Sequence, residues 1–262
     1  MQRIESSDNK KIKRLTSLKQ KKVRLKENLF LMEGLKSISE AVAEKAGIEM
    51  ILVSEDFTRK NGDFCESLDE TGIPIYLTND YILEKCSNLK TPQGIVAAIE
   101  KPDYTLRAIS NCQKPVVVLD GISDPGNLGT IIRTADAFGF AAVLLAQGCA
   151  DAYSPKTVQS TMGSILRMPC IEINIESIDE VKSFGYTVYG MDLAGTDMEN
   201  EIFNDVTAAV VIGSESHGVS ENLLKKCDKR LRINMAGRTE SLNAAVAAGI
   251  VLYKAAGSIK ED

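Results

Sequence analysis

The 262-residue chain has few of the groups that gather metals: its only histidine is His217. Its six cysteines, Cys65, Cys86, Cys112, Cys149, Cys170 and Cys227, are scattered with no C-x-x-C pair, which argues against a zinc or other metal site. Widely spaced cysteines in a chain this size read as reduced core residues. Structural disulfides are therefore not expected, and a cytoplasmic compartment is. With one histidine and no G-x-S-x-G, a Ser-His hydrolase lacks its parts, even though Ser216 precedes His217. Long hydrophobic runs are missing too. The longest, Ala244 to Tyr253, falls far short of the ~18 residues a membrane span needs, and no basic-then-apolar leader opens the sequence. Neither export nor membrane attachment is expected.

What is present is enough apolar material, 44% of residues, for one large α/β domain or two ordinary ones. The formal net charge of -5 is unevenly spread. Met1 to Phe30 carries ten Lys/Arg against three acidic residues, a local charge of +7 that leaves -12 for the rest. Phosphate attraction by this basic arm, through Lys10, Lys11, Lys13, Arg14, Lys21, Lys22 and Arg24, is one reading, and a solvated basic helix is the other.

Helical periodicity from Glu33 to Lys45, β-type runs at Glu49 to Val53, Ile73 to Leu77 and Gly94 to Ile99, and a helix-like stretch from Tyr81 to Cys86 make residues 1–100 a small α/β domain. Residues 101–114 lose periodicity and read as a linker. From 115 to 262 the alternation restarts, with strand-like runs at Val116 to Asp120, Ala141 to Ala146, Ile171 to Asn174, Tyr186 to Met191, Ala208 to Gly213 and Leu231 to Asn234. Several are apolar without alternation, as expected of parallel strands covered on both faces. Such a doubly wound sheet places ligands beyond the carboxyl ends of its strands, which directs attention to the loops after Asp120, Gly213 and Asn234.

The first loop, Asp120 to Thr130, leads into a helix predicted over Thr130 to Phe138. It puts Asn127 six residues before Arg133, so that an amide and a guanidinium could serve one ligand beside the backbone N–H groups of the helix start. A tight turn and cap would look the same. The second, Gly213-Ser-Glu-Ser-His-Gly-Val-Ser220, sets Glu215 between two glycines. A carboxylate there is costly if buried unless it binds something, and ordinary if solvated. The third, Arg232 to Asn243, enters a helix that is apolar nearly all round and must be buried. Ser241 and Asn243 read either as caps or as side chains aimed into a site.

Asn-Leu-Gly-Thr-Ile-Ile-Arg133, Gly213-Ser-Glu-Ser-His-Gly and Glu240-Ser-Leu-Asn-Ala-Ala-Val-Ala, in this order, resemble the three signature motifs of the SpoU (TrmH) family of RNA 2′-O-ribose methyltransferases, within the SPOUT superfamily. The likeness runs from Pro115 to Gly257, through Ser154-Pro-Lys and Met162-Gly163. Glu33-Gly34 and Pro92-Gln93-Gly94 in the first hundred residues are similar to that family's substrate-binding extension, itself similar to the α/β sandwich of certain RNA-binding ribosomal proteins. The resemblance implies a homodimer, a deep trefoil knot in residues 115–262, S-adenosylmethionine as cofactor, and an RNA substrate, ribosomal rather than transfer RNA by analogy. It implies that Gly213, Ile233 and Leu242 line the cofactor pocket and that Asn127, Arg133, Glu215, Ser241 and Asn243 form the functional polar set. Two departures stand out. Gln159 occupies a place where relatives often carry arginine, and His217 is not a motif residue.

Methyl transfer to a hydroxyl needs alignment, a water-poor site and loss of a proton, and no metal. The family proposal makes Arg133 the base, whereas a guanidinium more readily stabilises the developing alkoxide. Two other functions suit much of the same pattern: a non-catalytic RNA-binding dimer and a base methylase of the same fold. A nicotinamide dehydrogenase does not, because the loop after Asp120 lacks G-x-G-x-x-G.

Overall fold

The computed structural model describes residues 1–200, 207–239 and 241–257. Two compact units emerge, residues 1–102 together with 153–166, and residues 103–152 together with 167–262.

In the first unit β1 (Gln2–Arg3), α1 (Lys10–Ser17), α2 (Lys21–Glu27), β2 (Leu29–Glu33), α3 (Leu35–Ala43), β3 (Ile48–Ser54), α4 (Glu55–Lys60), α5 (Gly62–Asp69), β4 (Ile75–Thr78), α6 (Asp80–Cys86) and β5 (Ile95–Glu100) follow in order. The sheet order is β1-β4-β3-β5-β2, with β5 antiparallel to both neighbours and the remaining pairs parallel. Strands β2, β3 and β5 are nearly unbroken apolar runs and are buried along most of their length, as strands covered on two faces must be, although β2 is an edge strand. Side-chain caps start the helices: Asn9 Oδ1 accepts the Lys11 N–H at 2.9 Å, and Asn79 Oδ1 that of Ile82 at 2.9 Å. The N-terminal thirty residues are thus folded structure rather than an arm, with Ile12, Leu15 and Leu18 in the core.

The second unit opens before the expected strand. Residues 103–114, read from sequence as a linker, place Ile109 fully in its core, and the Tyr186 hydroxyl donates to the Lys114 carbonyl at 3.1 Å. Then come β6 (Val116–Asp120), α7 (Pro125–Ala137) and β7 (Ala142–Leu145). The next helix, α8 (Pro155–Thr161), leaves this unit for the first, where it packs on β2 and Tyr153 sets its ring 5.2 Å from that of Phe30. The chain returns as β8 (Cys170–Glu172), α9 (Ser177–Ser183), β9 (Thr187–Asp197), β10 (Ala208–Gly213), α10 (Glu221–Leu224), β11 (Lys229–Arg232) and α11 (Ala244–Ala256).

All six strands are parallel, in the order β11-β9-β10-β6-β7-β8. The chain moves outward from β6 through β7 to β8 and then resumes on the other side, so the order reverses between β6 and β10. In open α/β sheets that reversal opens the crevice where ligands sit. Helix α11 packs against α7 and β10, burying Ala244, Ala248, Val251 and Leu252. No helix among the described residues is long and apolar enough to cross a membrane.

Candidate functional site

A cavity of about 510 Å³ lies beyond the carboxyl ends of β10 and β11 in the second unit. Three chain segments build it: Ile212 to Glu221, Arg232 to Met235 with Ser241 to Ala247, and Met191 to Leu193. Its volume falls within the ~300–1,000 Å³ typical of small-molecule sites.

The loop after β10 depends on its two glycines. A Cβ on Gly213 would overlap the carbonyl carbon and oxygen of Gly218, so no other residue permits this close approach. Gly218, at φ +65°, turns the chain back so that its N–H donates to the Ser214 carbonyl at 2.8 Å. The loop is then pinned to the neighbouring strand, because the Ser220 N–H donates to Asp120 Oδ2 at 2.7 Å.

The loop after β6 is shorter than the sequence suggested. Helix α7 begins at Pro125 rather than Thr130, with Asp124 as its cap accepting the Asn127 N–H at 2.9 Å. Asn127 therefore sits in the first turn of the helix, and its side chain points across to the second motif, where Nδ2 donates to Glu215 Oε1. Asn243 caps α11, its Oδ1 accepting the N–H groups of Ala245 at 3.0 Å and Val246 at 3.3 Å. Its amide nitrogen meanwhile donates to Asn127 Oδ1 at 3.1 Å and Glu215 Oε1 at 3.3 Å, and the Ala244 N–H reaches the same oxygen at 3.3 Å. One carboxylate oxygen thus ties the three motifs together. Glu215 works as a staple, and Asn243 is both cap and site residue.

Gly213, Ile233, Leu242, Ser241 and Glu215 line the cavity. Arg133 does not join them. It lies exposed on α7 with no hydrogen-bond or ion-pair partner among the described residues. Six helical residues from Asn127 amount to about 240° of net rotation, which sends the two side chains in different directions. His217 lines the cavity and pairs with the Ser216 hydroxyl through Nδ1 at 2.7 Å. Sequence reasoning overlooked the wall formed by Met191, Asp192 and Leu193. The signal was available, since this segment follows an apolar strand run. There β9 and β11 change register, Gly190 pairing with Arg230 but Thr196 with Leu231, so the chain between bulges out.

Of the basic residues expected to meet phosphate, Arg24 must be withdrawn. It is 4% exposed and donates to the Leu18 and Lys19 carbonyls at 2.8 Å each, closing the end of α1. Arg14 is half-buried between Glu27, at 2.9 Å, and Glu49. Lys13 pairs with Asp8 at 2.8 Å, and the Lys11 ammonium lies 4.6 Å from the Tyr76 ring centroid. Lys10, Lys21 and Lys22 are exposed and have no ion-pair partner among the described residues.

Comparison with known proteins agrees with this arrangement. Residues 114–253 match the SpoU rRNA Methylase family, and residues 9–97 match the MRM3-like substrate binding domain. The 23S rRNA (guanosine(2553)-2′-O)-methyltransferase RlmP of Bacillus subtilis is 39% identical over 258 residues, covering 98% of this chain and 100% of that one. An uncharacterized tRNA/rRNA methyltransferase of Synechocystis is 31% identical over 96% of this chain and 92% of its own. Among solved structures, an AdoMet-bound rRNA methyltransferase from Sinorhizobium meliloti superposes with TM-score 0.89 at 30% identity over 99% of both chains. The AdoMet complex of the SpoU methyltransferase AviRb from Streptomyces viridochromogenes gives 0.83 at 29% identity, covering 95% of this chain and 97% of that one. The expectation drawn from three short motifs holds over nearly the whole chain: the protein belongs to the SpoU rRNA methylase family.

Proposed function

We propose that this protein transfers the methyl group of S-adenosylmethionine to a ribose 2′-hydroxyl of ribosomal RNA. The observation that carries this reading is the joining of Asn127, Glu215 and Asn243, from three separated motifs, beside a cavity of cofactor size. The lining suits the cofactor. Ile212, Leu224, Ile233, Met235, Leu242 and Ala247 offer apolar walls for an adenine ring, and the turned backbone at Gly213 and the loop from Ser241 offer polar edges. When bound, S-adenosylmethionine supplies a sulfonium methyl that an oxygen nucleophile displaces.

The protein's own residues supply the rest. Glu215 Oε1 accepts from three donors and so holds the loops of the three motifs together. The Arg133 guanidinium serves as an electrostatic partner, steadied by a substrate phosphate and stabilising the alkoxide as the hydroxyl loses its proton. Ser241, at the cavity wall, is placed to orient substrate or cofactor.

The RNA is held first by the exposed Lys10, Lys21 and Lys22 of the substrate-binding unit, whose phosphate contacts also make binding salt-dependent. The working form is a homodimer. Val246, Ile250 and Tyr253, on one stripe of α11, are 52%, 39% and 71% exposed, an apolar face that a second copy would cover. Passage of α11 back from the sheet edge at β11 to the sheet centre suits the deep knot of the family. A cytoplasmic location, where ribosomal RNA is found, completes the reading.

Calorimetric titration with S-adenosylmethionine, beside Gly213→Ala, tests the cofactor site. Saturable binding lost in the variant is expected. Ribonucleoside analysis of treated ribosomal RNA tests the acceptor. A methylated base in place of a 2′-O-methylribose would overturn the ribose assignment.

A further inference from the structure

Glu33-Gly34, Pro92-Gln93-Gly94 and the stretch from Gln159 to Gly163 take no part in the cofactor cavity, yet the first unit brings them together around a second cavity of about 130 Å³. Its floor is apolar, with Leu31 and Val158 both buried. Its rim carries Lys36, Gln93 and Gln159, exposed and without hydrogen-bond or ion-pair partners among the described residues, and the Met162 thioether, 44% exposed.

Each short motif has a mechanical reason to be there. The Glu33 carboxylate is already committed, accepting from the Ser87 hydroxyl and from the Asn88 N–H at 2.8 Å, so it holds the 87–89 loop as one wall. Gly34, at φ +91°, leaves room for the amide of Gln93, since a Cβ there would lie 2.7 Å from Gln93 Oε1. At the end of α8, Met162 adopts φ +51° and Gly163 φ +99°, and a Cβ on Gly163 would overlap the Glu40 carboxylate. That close approach seats the helix end on α3 and fixes Gln159 and Met162 at the rim.

Two unpartnered primary amides can each donate and accept, which is what the edge of a nucleobase requires. An apolar floor and a polarisable sulfur suit the face of an aromatic ring, and a lysine beside them suits a phosphate. The cavity is well below the ~300 Å³ at which drug-sized ligands are accommodated, which limits the occupant to a single ring system. We propose that this cavity receives one unstacked nucleobase of the RNA substrate, its edge read by Gln93 and Gln159 and its phosphate met by Lys36. The inference rests on the RNA-modifying reading above and adds to it a base-recognition site in the substrate-binding unit.

The test is a base-edge chemical footprint on a 23S ribosomal RNA transcript, alone and bound to wild-type protein or to the Gln93→Ala/Gln159→Ala double variant. Wild type is expected to protect the base edge of one single-stranded nucleotide other than the methylated one. The variant is expected to lose that protection and to bind the transcript about ten-fold more weakly, as two lost hydrogen bonds imply, with unchanged S-adenosylmethionine affinity. An identical footprint, or RNA affinity within two-fold of wild type, overturns the proposal. The footprint is read without methyl transfer. Wild-type protein that protects the base but transfers no methyl group would therefore sink the catalytic reading and leave the recognition site standing.

Discussion

Replacing Glu215 by alanine should separate the three motifs without unfolding the protein. The substitution removes one oxygen that accepts from Asn127 Nδ2, from Asn243 Nδ2 at 3.3 Å and from the Ala244 N–H at 3.3 Å. Hydrogen bonds to a charged group contribute ~1.5–3 kcal/mol each, but two of these are long and the carboxylate is solvated, so about 2 kcal/mol for the set is a fair magnitude. If that energy holds the loops in their binding form, S-adenosylmethionine affinity falls about 30-fold. Glu215→Gln keeps an acceptor oxygen and loses only its charge, so a fall of about three-fold is expected. Calorimetry on wild type, Asn127→Ala, Glu215→Ala and the double variant closes a cycle. The single effects should overlap rather than add, with coupling of about 1 kcal/mol, because each removes the same bond. A dissociation constant for Glu215→Ala within two-fold of wild type, or strictly additive effects, would refute the staple.

Arg133→Ala should abolish turnover while leaving S-adenosylmethionine affinity intact. Arg133→Lys should retain some activity with the wild-type pH profile, and rescue at raised pH would instead mark a base. Arg24→Leu should lower stability by about 2 kcal/mol, since a buried and a part-buried carbonyl lose their donor, and leave the salt dependence of RNA binding unchanged. Lys21→Ala/Lys22→Ala should do the reverse, flattening the slope of log K against log salt by about 1.4 with no change in melting temperature. An equal effect on both readouts in either variant would contradict the division of roles. At Asp228, burial tends to raise the carboxyl, but the Lys182 ammonium at 2.6 Å and the Val188 N–H at 2.8 Å outweigh it and hold the group below its ordinary range. Its stabilising effect is therefore complete above about pH 4 and is lost as pH falls through the lower folded value. Denaturant titrations should find Asp228→Asn less stable by about 1 kcal/mol at pH 6, with the gap to wild type narrowing as pH falls below about 4, and a gap that did not narrow would refute this.

Strands β6 and β10 could be read from sequence with their observed bounds, because Val116 to Leu119 and Ala208 to Ile212 are apolar runs ended by Asp120 and Gly213, and burial on both faces demands such runs. The polar set was legible as residue types between glycines, but its wiring was not. Asn127 was assigned to a loop because Gly126 and Gly129 weaken helix propensity, although Asp124-Pro125 is a start signal that outweighs them. Arg24 looked like its basic neighbours because charge density ignores which face of α2 turns inward. Strand β2 was hidden by its position at the end of a basic stretch, and the small cavity at Gln93 and Gln159 joins residues 66 positions apart that no local pattern links.

Helix α8 has a consequence for how the protein can be divided. Because residues 153–166 leave the second unit and come back, the two units are joined by three covalent crossings, after residues 102, 152 and 166. A single proteolytic cut at the first crossing would nick the molecule without releasing either half. A fragment beginning at residue 115 would carry α8 stripped of the strand it covers, turning Val158 and Thr161, now buried, out to water. The piece that sequence boundaries would choose to express as a catalytic domain is therefore one that exposes the buried face of α8, and its poor behaviour in solution would say nothing against the enzyme.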